Sequence, residues 1–205
     1  MTLYKQLYLG GLGITEMQIK SYLPAVLFAF ICVSSLMSSI TSSMVSLEGK
    51  SFNILKSMPV KSSTIIFSKI FAALLVIVPV ILLGDVIIFA RFNFSILDII
   101  MTLFASVLLP LVSETIGIII NLKYPKMDAE NDAEVVKQSI SSMIAVFIGM
   151  ILTLVTLFGV FTLITLGFKS SIIVALGVLV YLLIYLILLL YLRKSSVKDF
   201  YNINV

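Results

Sequence analysis

"SIIVALGVLVYLLIYLILLLYL", residues 171–192, runs for 22 residues without a charged side chain. About 20 apolar residues in a helix cross a hydrocarbon core about 30 Å thick. Lipid offers no partner to a backbone N–H or C=O, so a spanning segment is a helix or belongs to a closed barrel. A barrel would need short alternating strands, whereas this run is long and continuously apolar. Four similar stretches precede it. The five expected spans are about Tyr22 to Met44, Ile65 to Ala90, Ile96 to Leu122, Ser139 to Phe168 and Ser171 to Leu192. The fold class is therefore all-α, a polytopic helical membrane protein, with residues 1–205 as a single transmembrane domain.

Composition agrees with that class and narrows the chemistry. Of the residues, 60% are hydrophobic and 12% charged, with a mean hydropathy of +1.20, far from the balance of a water-soluble domain. Histidine is absent and Cys32 is the single cysteine, inside the first apolar run. The commonest general base and metal ligand is therefore missing, and neither an intrachain disulfide nor a cysteine-based metal site can form. No enzymatic activity and no metal are expected of this chain. The net charge of +4 comes from basic residues beside the spans, which marks topology and not a nucleic-acid partner.

Ten basic residues fall on one side of the membrane: Lys50, Lys56, Lys61, Lys69, Lys123, Lys126, Lys137, Arg193, Lys194 and Lys198. Lys5, Lys20, Arg91 and Lys169 fall on the other. The positive-inside rule then places the C-terminus in the cytoplasm and the N-terminus outside. With no cleavable signal peptide in evidence, two readings account for the outside N-terminus. Either another span once preceded residues 1–20, or a short, weakly charged tail translocates.

The loop after the first span contains "SLEGKSFNILKSMPV", residues 46–60. Gly49, Lys50 and Ser51 imitate the end of a phosphate-binding loop, but the first glycine of G-x-x-x-x-G-K-S/T is replaced by Met44, and a membrane span precedes it instead of a buried strand. At 100° per residue, Leu47, Phe52, Ile54, Leu55 and Met58 take one half of a helical wheel, and Lys50, Asn53, Lys56 and Ser57 the other. The spacing predicts a short amphipathic helix on the cytoplasmic membrane surface, ended by Pro59, with Ser62 or Ser63 capping the next helix. Such a helix either anchors the loop or docks a cytosolic partner. In the second cytoplasmic loop, Asn131 with Glu134 fits a capping-box-like start. Asp128, Glu130, Asp132 and Glu134 lack the glycine and terminal glutamate of a calcium loop and read as a solvated helix start.

These two loops resemble bacterial ABC-2-type export permeases. There "S-x-E-G-K" leads into "L-x-S-x-P" and then a lysine at the next span; Ser46, Glu48, Gly49, Lys50, Leu55, Ser57, Pro59 and Lys69 match. The family's "G-x-x-x-N-L-x-x-P" signature with its acidic, lysine-ended loop is matched by Gly117, Asn121, Leu122, Pro125, Glu134 and Lys137. The resemblance implies a multi-pass permease subunit of an ATP-binding cassette exporter in a bacterial plasma membrane. It implies that Glu48, Gly49, Lys50, Phe52, Leu55, Lys56 and Pro59 belong to a coupling helix seated in a cytosolic ABC ATPase. A second contact is implied at Asp128, Glu134 and Lys137. ATP and magnesium would be used by that partner, with no cofactor on this chain. Because the coupling segment should follow the second span of a half, the resemblance also implies a half-permease lacking its first span, completed by a second half or a copy of itself.

Asp85 and Glu114 fall inside spans, where ionisable residues face protein or water. Each lies near a membrane interface and reads as structural. A pathway role would instead suit an ion-coupled or facilitative carrier. "LLGDVI", residues 82–87, lacks the preceding glycine and second aspartate of an aspartyl intramembrane protease. A small membrane immunity or sensor protein would share this size and hydropathy.

Overall fold

The computed structural model describes residues 16–127 and 131–196, together with Phe200 and Ile203. Five helices are long and apolar enough to cross a membrane, and no strand occurs among the described residues. In chain order the elements are α1 (Glu16–Leu36), α2 (Thr41–Met44), a 3₁₀ segment (Ser46–Ser51), α3 (Phe52–Ser57), α4 (Ser62–Arg91), α5 (Ile96–Lys123), α6 (Asp132–Gln138), α7 (Ile140–Thr165) and α8 (Ser170–Tyr191), followed by a π-helical turn (Leu192–Ser196). The limits of α4, α5, α7 and α8 differ from those read in the sequence by up to three residues.

The first span departs further. A continuous helix to Met44 was expected, yet α1 stops at Leu36 and the helix restarts only at Thr41. The stretch from Ser34 to Ser43 contains Ser34, Ser35, Ser38, Ser39, Thr41, Ser42 and Ser43. Short hydroxyl side chains bond locally to the backbone and weaken a helix: Ser34 Oγ donates to the Phe30 carbonyl at 3.0 Å, Ser42 Oγ to that of Ser39 at 2.7 Å and Ser43 Oγ to that of Ile40 at 3.2 Å.

The amphipathic helix is likewise divided. Gly49 has φ +48° and ψ −128°, a backbone state that glycine adopts without a Cβ clash, so it kinks the 3₁₀ segment before α3 begins. Downstream, Met58 is extended and Pro59 follows. Neither Ser62 nor Ser63 caps α4; its N-cap is Lys61, with no side-chain cap bond, and Ser62 is buried.

α5 is the hub. It packs against α1, α2, α4, α7 and α8, and half of its central apolar stretch is buried, against 17% for α4. One apolar cluster joins α1 (Phe28, Ile31, Leu36), α5 (Leu108, Leu109, Val112) and α8 (Ile173, Val174, Val178). A second, at the end carrying the basic loops, joins Val45, Phe52, Ile66, Ile70, Ile118 and Leu122 to Leu192, Phe200 and Ile203. Lipid is as apolar as leucine, so helices gain little by merely hiding such side chains; close backbone approach at small residues decides the packing. A Cβ on Gly149 of α7 would lie 1.9 Å from the Leu36 carbonyl oxygen, and one on Gly177 of α8 would lie 2.4 Å from Phe28 Cζ.

Gly149→Ala is expected to push α7 off the end of α1 and to cost roughly 1–3 kcal/mol. Gly159→Ala, where a Cβ meets nothing within 4 Å, is expected to be neutral. Denaturant unfolding of the two variants in mixed micelles checks this, and equal midpoints would remove the close-packing argument.

Candidate functional site

The break after Leu36 exposes backbone groups that the membrane interior cannot satisfy, and one face of α5 receives them. The Glu114 carboxylate accepts the Ile40 N–H at 3.2 Å and the Thr41 N–H at 2.8 Å, and the Glu114 carbonyl accepts the Thr41 hydroxyl at 2.6 Å. One residue earlier, the Ser113 hydroxyl donates to the Ser38 carbonyl at 2.6 Å. Gly117 lets the unwound chain lie against α5: a Cβ there would be 2.0 Å from Ser39 Oγ and 2.6 Å from Thr41 Oγ1. Another turn along, Asn121 Oδ1 accepts the Val45 and Ser46 N–H groups at 2.7 and 3.2 Å. Its Nδ2 donates to Ser46 Oγ at 2.7 Å and Ser141 Oγ at 3.0 Å, and Ser46 Oγ also accepts the Lys126 N–H at 2.9 Å. Residues 113, 114, 117 and 121 recur at helical spacing, so they form one polar stripe down an otherwise apolar helix. Glu114 is 0% exposed, and both its oxygens serve the broken span.

Beyond Ser46 the candidate docking residues divide between inside and outside. Glu48 pairs with Lys69 of α4 at 2.6 Å, and Lys69 Nζ also donates to the Met44 carbonyl at 3.1 Å, so one ammonium ties the loop to the end of α2. Phe52 is 0% exposed, its ring 4.9 Å from that of Phe200. Lys56 lies 5.5 Å from the Phe52 ring and donates to the Ile203 carbonyl. Leu55 is half-buried in the same cluster. Outward, Lys50, Ile54, Met58 and Pro59 are exposed. The kink at Gly49 separates Leu47 from the later wheel positions, and Phe52 turns into the protein while Ile54 and Met58 turn out.

In the second loop, the Asn131 side chain caps α6 by accepting the Glu134 N–H at 2.9 Å, and the Glu134 carboxylate pairs with Lys126 at 2.5 Å. Asp128 lies outside the described residues, and so does the side chain of Lys137.

Asp85 of α4 is apart from all of these. It is 1% exposed and its Oδ2 lies 2.5 Å from Ser106 Oγ of α5. At this opposite end of the bundle, Asp98 accepts the Ser171 hydroxyl at 2.6 Å and lines a cavity of about 410 Å³ with Tyr22, Asn93, Lys169 and Ser170. Sequence reasoning passed over Asp98, Ser113 and Gly149. The stripe spacing from Ser113 to Asn121 was the available signal for Ser113; nothing local marks Gly149. Among the described residues no three cysteine, aspartate or glutamate side chains gather as a metal site.

Comparison with known proteins places this geometry in a wider setting. A family model described as a membrane protein of 12 TMs matches residues 14–193. No curated protein and no solved structure matches.

Glu114→Ala removes the acceptor of two buried N–H groups, at a cost of about 1–3 kcal/mol for each group left unpaired. Amide exchange at Ile40 and Thr41 is expected to accelerate by roughly ten- to a hundredfold, with a smaller change for Glu114→Gln, which keeps one acceptor oxygen. Hydrogen-exchange mass spectrometry of residues 37–45 measures it; unchanged protection in the alanine variant would show that the break is held by other means.

Proposed function

The chain belongs to the family of membrane proteins of 12 TMs, and from that premise we propose that it is a membrane-spanning permease subunit of an ATP-binding cassette exporter. In this reading the segment from Glu48 to Pro59 docks a separate cytosolic ATPase, and residues 128–137 make a second contact. The basic end is the cytoplasmic one, in agreement with the loop charges. With five long apolar helices among the described residues against twelve in the family's description, the translocation pathway would be completed by further spans, from a second half or from another copy.

The observation that carries the reading is the way the loop is mounted. Its outer surface offers Lys50, Ile54, Met58 and Pro59, while its inner surface is fixed through Phe52, the Glu48–Lys69 pair and the Ser46–Asn121 bonds. A partner seated on the outside would therefore move α2, α4 and α5 with it as a body. ATP-driven closure of two ATPase subunits would reach the spans as a rigid shift between two packings. The ATPase would hold ATP and magnesium; this chain would supply the helix faces that the cargo meets.

An ion-coupled carrier is the second reading, favoured by the discontinuity between α1 and α2, since such carriers build their ion sites on broken helices.

Gentle extraction of the tagged protein from its native membrane is expected to recover a stoichiometric polypeptide with an intact phosphate-binding loop. Glu48→Lys, which sets a second ammonium against Lys69, and Pro59→Ala are expected to weaken that recovery or to uncouple ATP hydrolysis from transport while the chain stays in the membrane. Recovery of the chain alone in several mild detergents would overturn the permease reading.

A further inference from the structure

Two buried carboxyl groups in this bundle are treated very differently. Glu114 receives two backbone N–H donors, one on each oxygen, so neither oxygen is left without a donor. Asp85 has a single hydrogen-bonding neighbour among the described residues, the Ser106 hydroxyl. That hydroxyl has two acceptors within reach. Ser106 Oγ also lies 2.9 Å from the Thr102 carbonyl oxygen one turn back, and a serine has only one hydrogen to donate. If the hydrogen goes to Thr102, the 2.5 Å contact with Asp85 needs a hydrogen from the aspartic acid.

We propose that Asp85 is held as a neutral acid and that, with Ser106 and Thr102, it forms an intramembrane proton-binding site. In the loaded state the Asp85 O–H donates to Ser106 Oγ, and the Ser106 O–H donates to the Thr102 carbonyl. When the proton leaves, the Ser106 O–H turns to the new carboxylate, and the Thr102 carbonyl gives up that bond. Only a proton is exchanged.

The surroundings fit such a site. Asp85 borders a cavity of about 140 Å³ lined by Leu27, Phe30, Ile31 and Ser34 of α1 and by Val80, Ile81, Gly84 and Ile88 of α4, so its carboxyl group is not sealed in by close packing. Thr102 Oγ1, fully buried one turn from Ser106, has no hydrogen-bond partner among the described residues. Among the described residues no cation faces Asp85: α5 presents Ser106, α1 presents Ser34 and apolar side chains, and Arg91, at the end of α4, is exposed. The two acids of α5, each eight residues from Ser106, are engaged elsewhere, Asp98 with Ser171 of α8 and Glu114 with Ile40 and Thr41. This site stands whether or not an ATPase docks at the other end.

Infrared spectroscopy of the full chain in lipid nanodiscs tests it. At neutral pH a protonated-carboxyl carbonyl band is expected, lost in Asp85→Asn, retained in Glu114→Gln and shifted in Ser106→Ala. On the unsubstituted protein, a hydrophobic carbodiimide, which attacks protonated carboxyls, is expected to label Asp85 and to leave Glu114 unlabelled, as mapped by mass spectrometry. Absence of the band, its survival in Asp85→Asn, no shift in Ser106→Ala, or labelling confined to Glu114 would each overturn the proposal.

Discussion

The Glu114 carboxylate and its two N–H donors are what permit a spanning helix to stop at Leu36 and start again at Thr41. In water such a break would be nearly free, because solvent would take the released groups. Inside a bilayer each unpaired group costs several kcal/mol, so the break exists only where another helix supplies partners. That requirement explains why α5 is central. A helix carrying Ser113, Glu114, Gly117 and Asn121 on one stripe has to lie directly against residues 38–46, and Gly117 removes the side chain that would hold it away.

The rest of the packing follows. Once α5 is set against the break, Gly149 brings α7 over the Leu36 carbonyl, so the N-terminal side of the break is closed by a second backbone. Asn121 reaches both Ser46 and Ser141, which draws the start of α7 and the loop after α2 to one point. The second apolar cluster, with Phe52 at its centre, is built on that junction. The loop of residues 46–60 is thus an extension of the broken span, braced at its root by the same helix.

Properties written locally in the chain were legible in the sequence. The five apolar helices depend on length and hydropathy alone, and the Asn131 cap depends on a group three residues away. The break was not legible, because its stabilising acceptor is 73 residues distant from Thr41 and the intervening serines and threonines are compatible with a continuous membrane helix. The burial of Phe52 was hidden for the same reason: on a wheel it is one of five apolar residues, and the partners that bury it, among them Ile118, Leu192 and Phe200, lie far along the chain. Glu48 and Lys69 stood together in the family resemblance as separate matches. The structure gives the pair one physical role, a 2.6 Å ion pair that fastens the loop to α4.

α4 is the element least bound by packing, with only 17% of its apolar stretch buried, and lipid replaces most of the contacts that an apolar face loses when a helix shifts. Its position therefore rests heavily on polar ties, and it has one near each end. Lys69 holds it to Glu48 and to the Met44 carbonyl, and Asp85 meets Ser106 of the hub. Residues 69 and 85 are separated by about 24 Å at 1.5 Å rise per residue. A helix fastened at two such distant points transmits a displacement of one end as a tilt about the other. Between the 46–60 loop and the buried acid, α4 is therefore the connecting helix, tied to the loop through Lys69 and to the hub through Asp85.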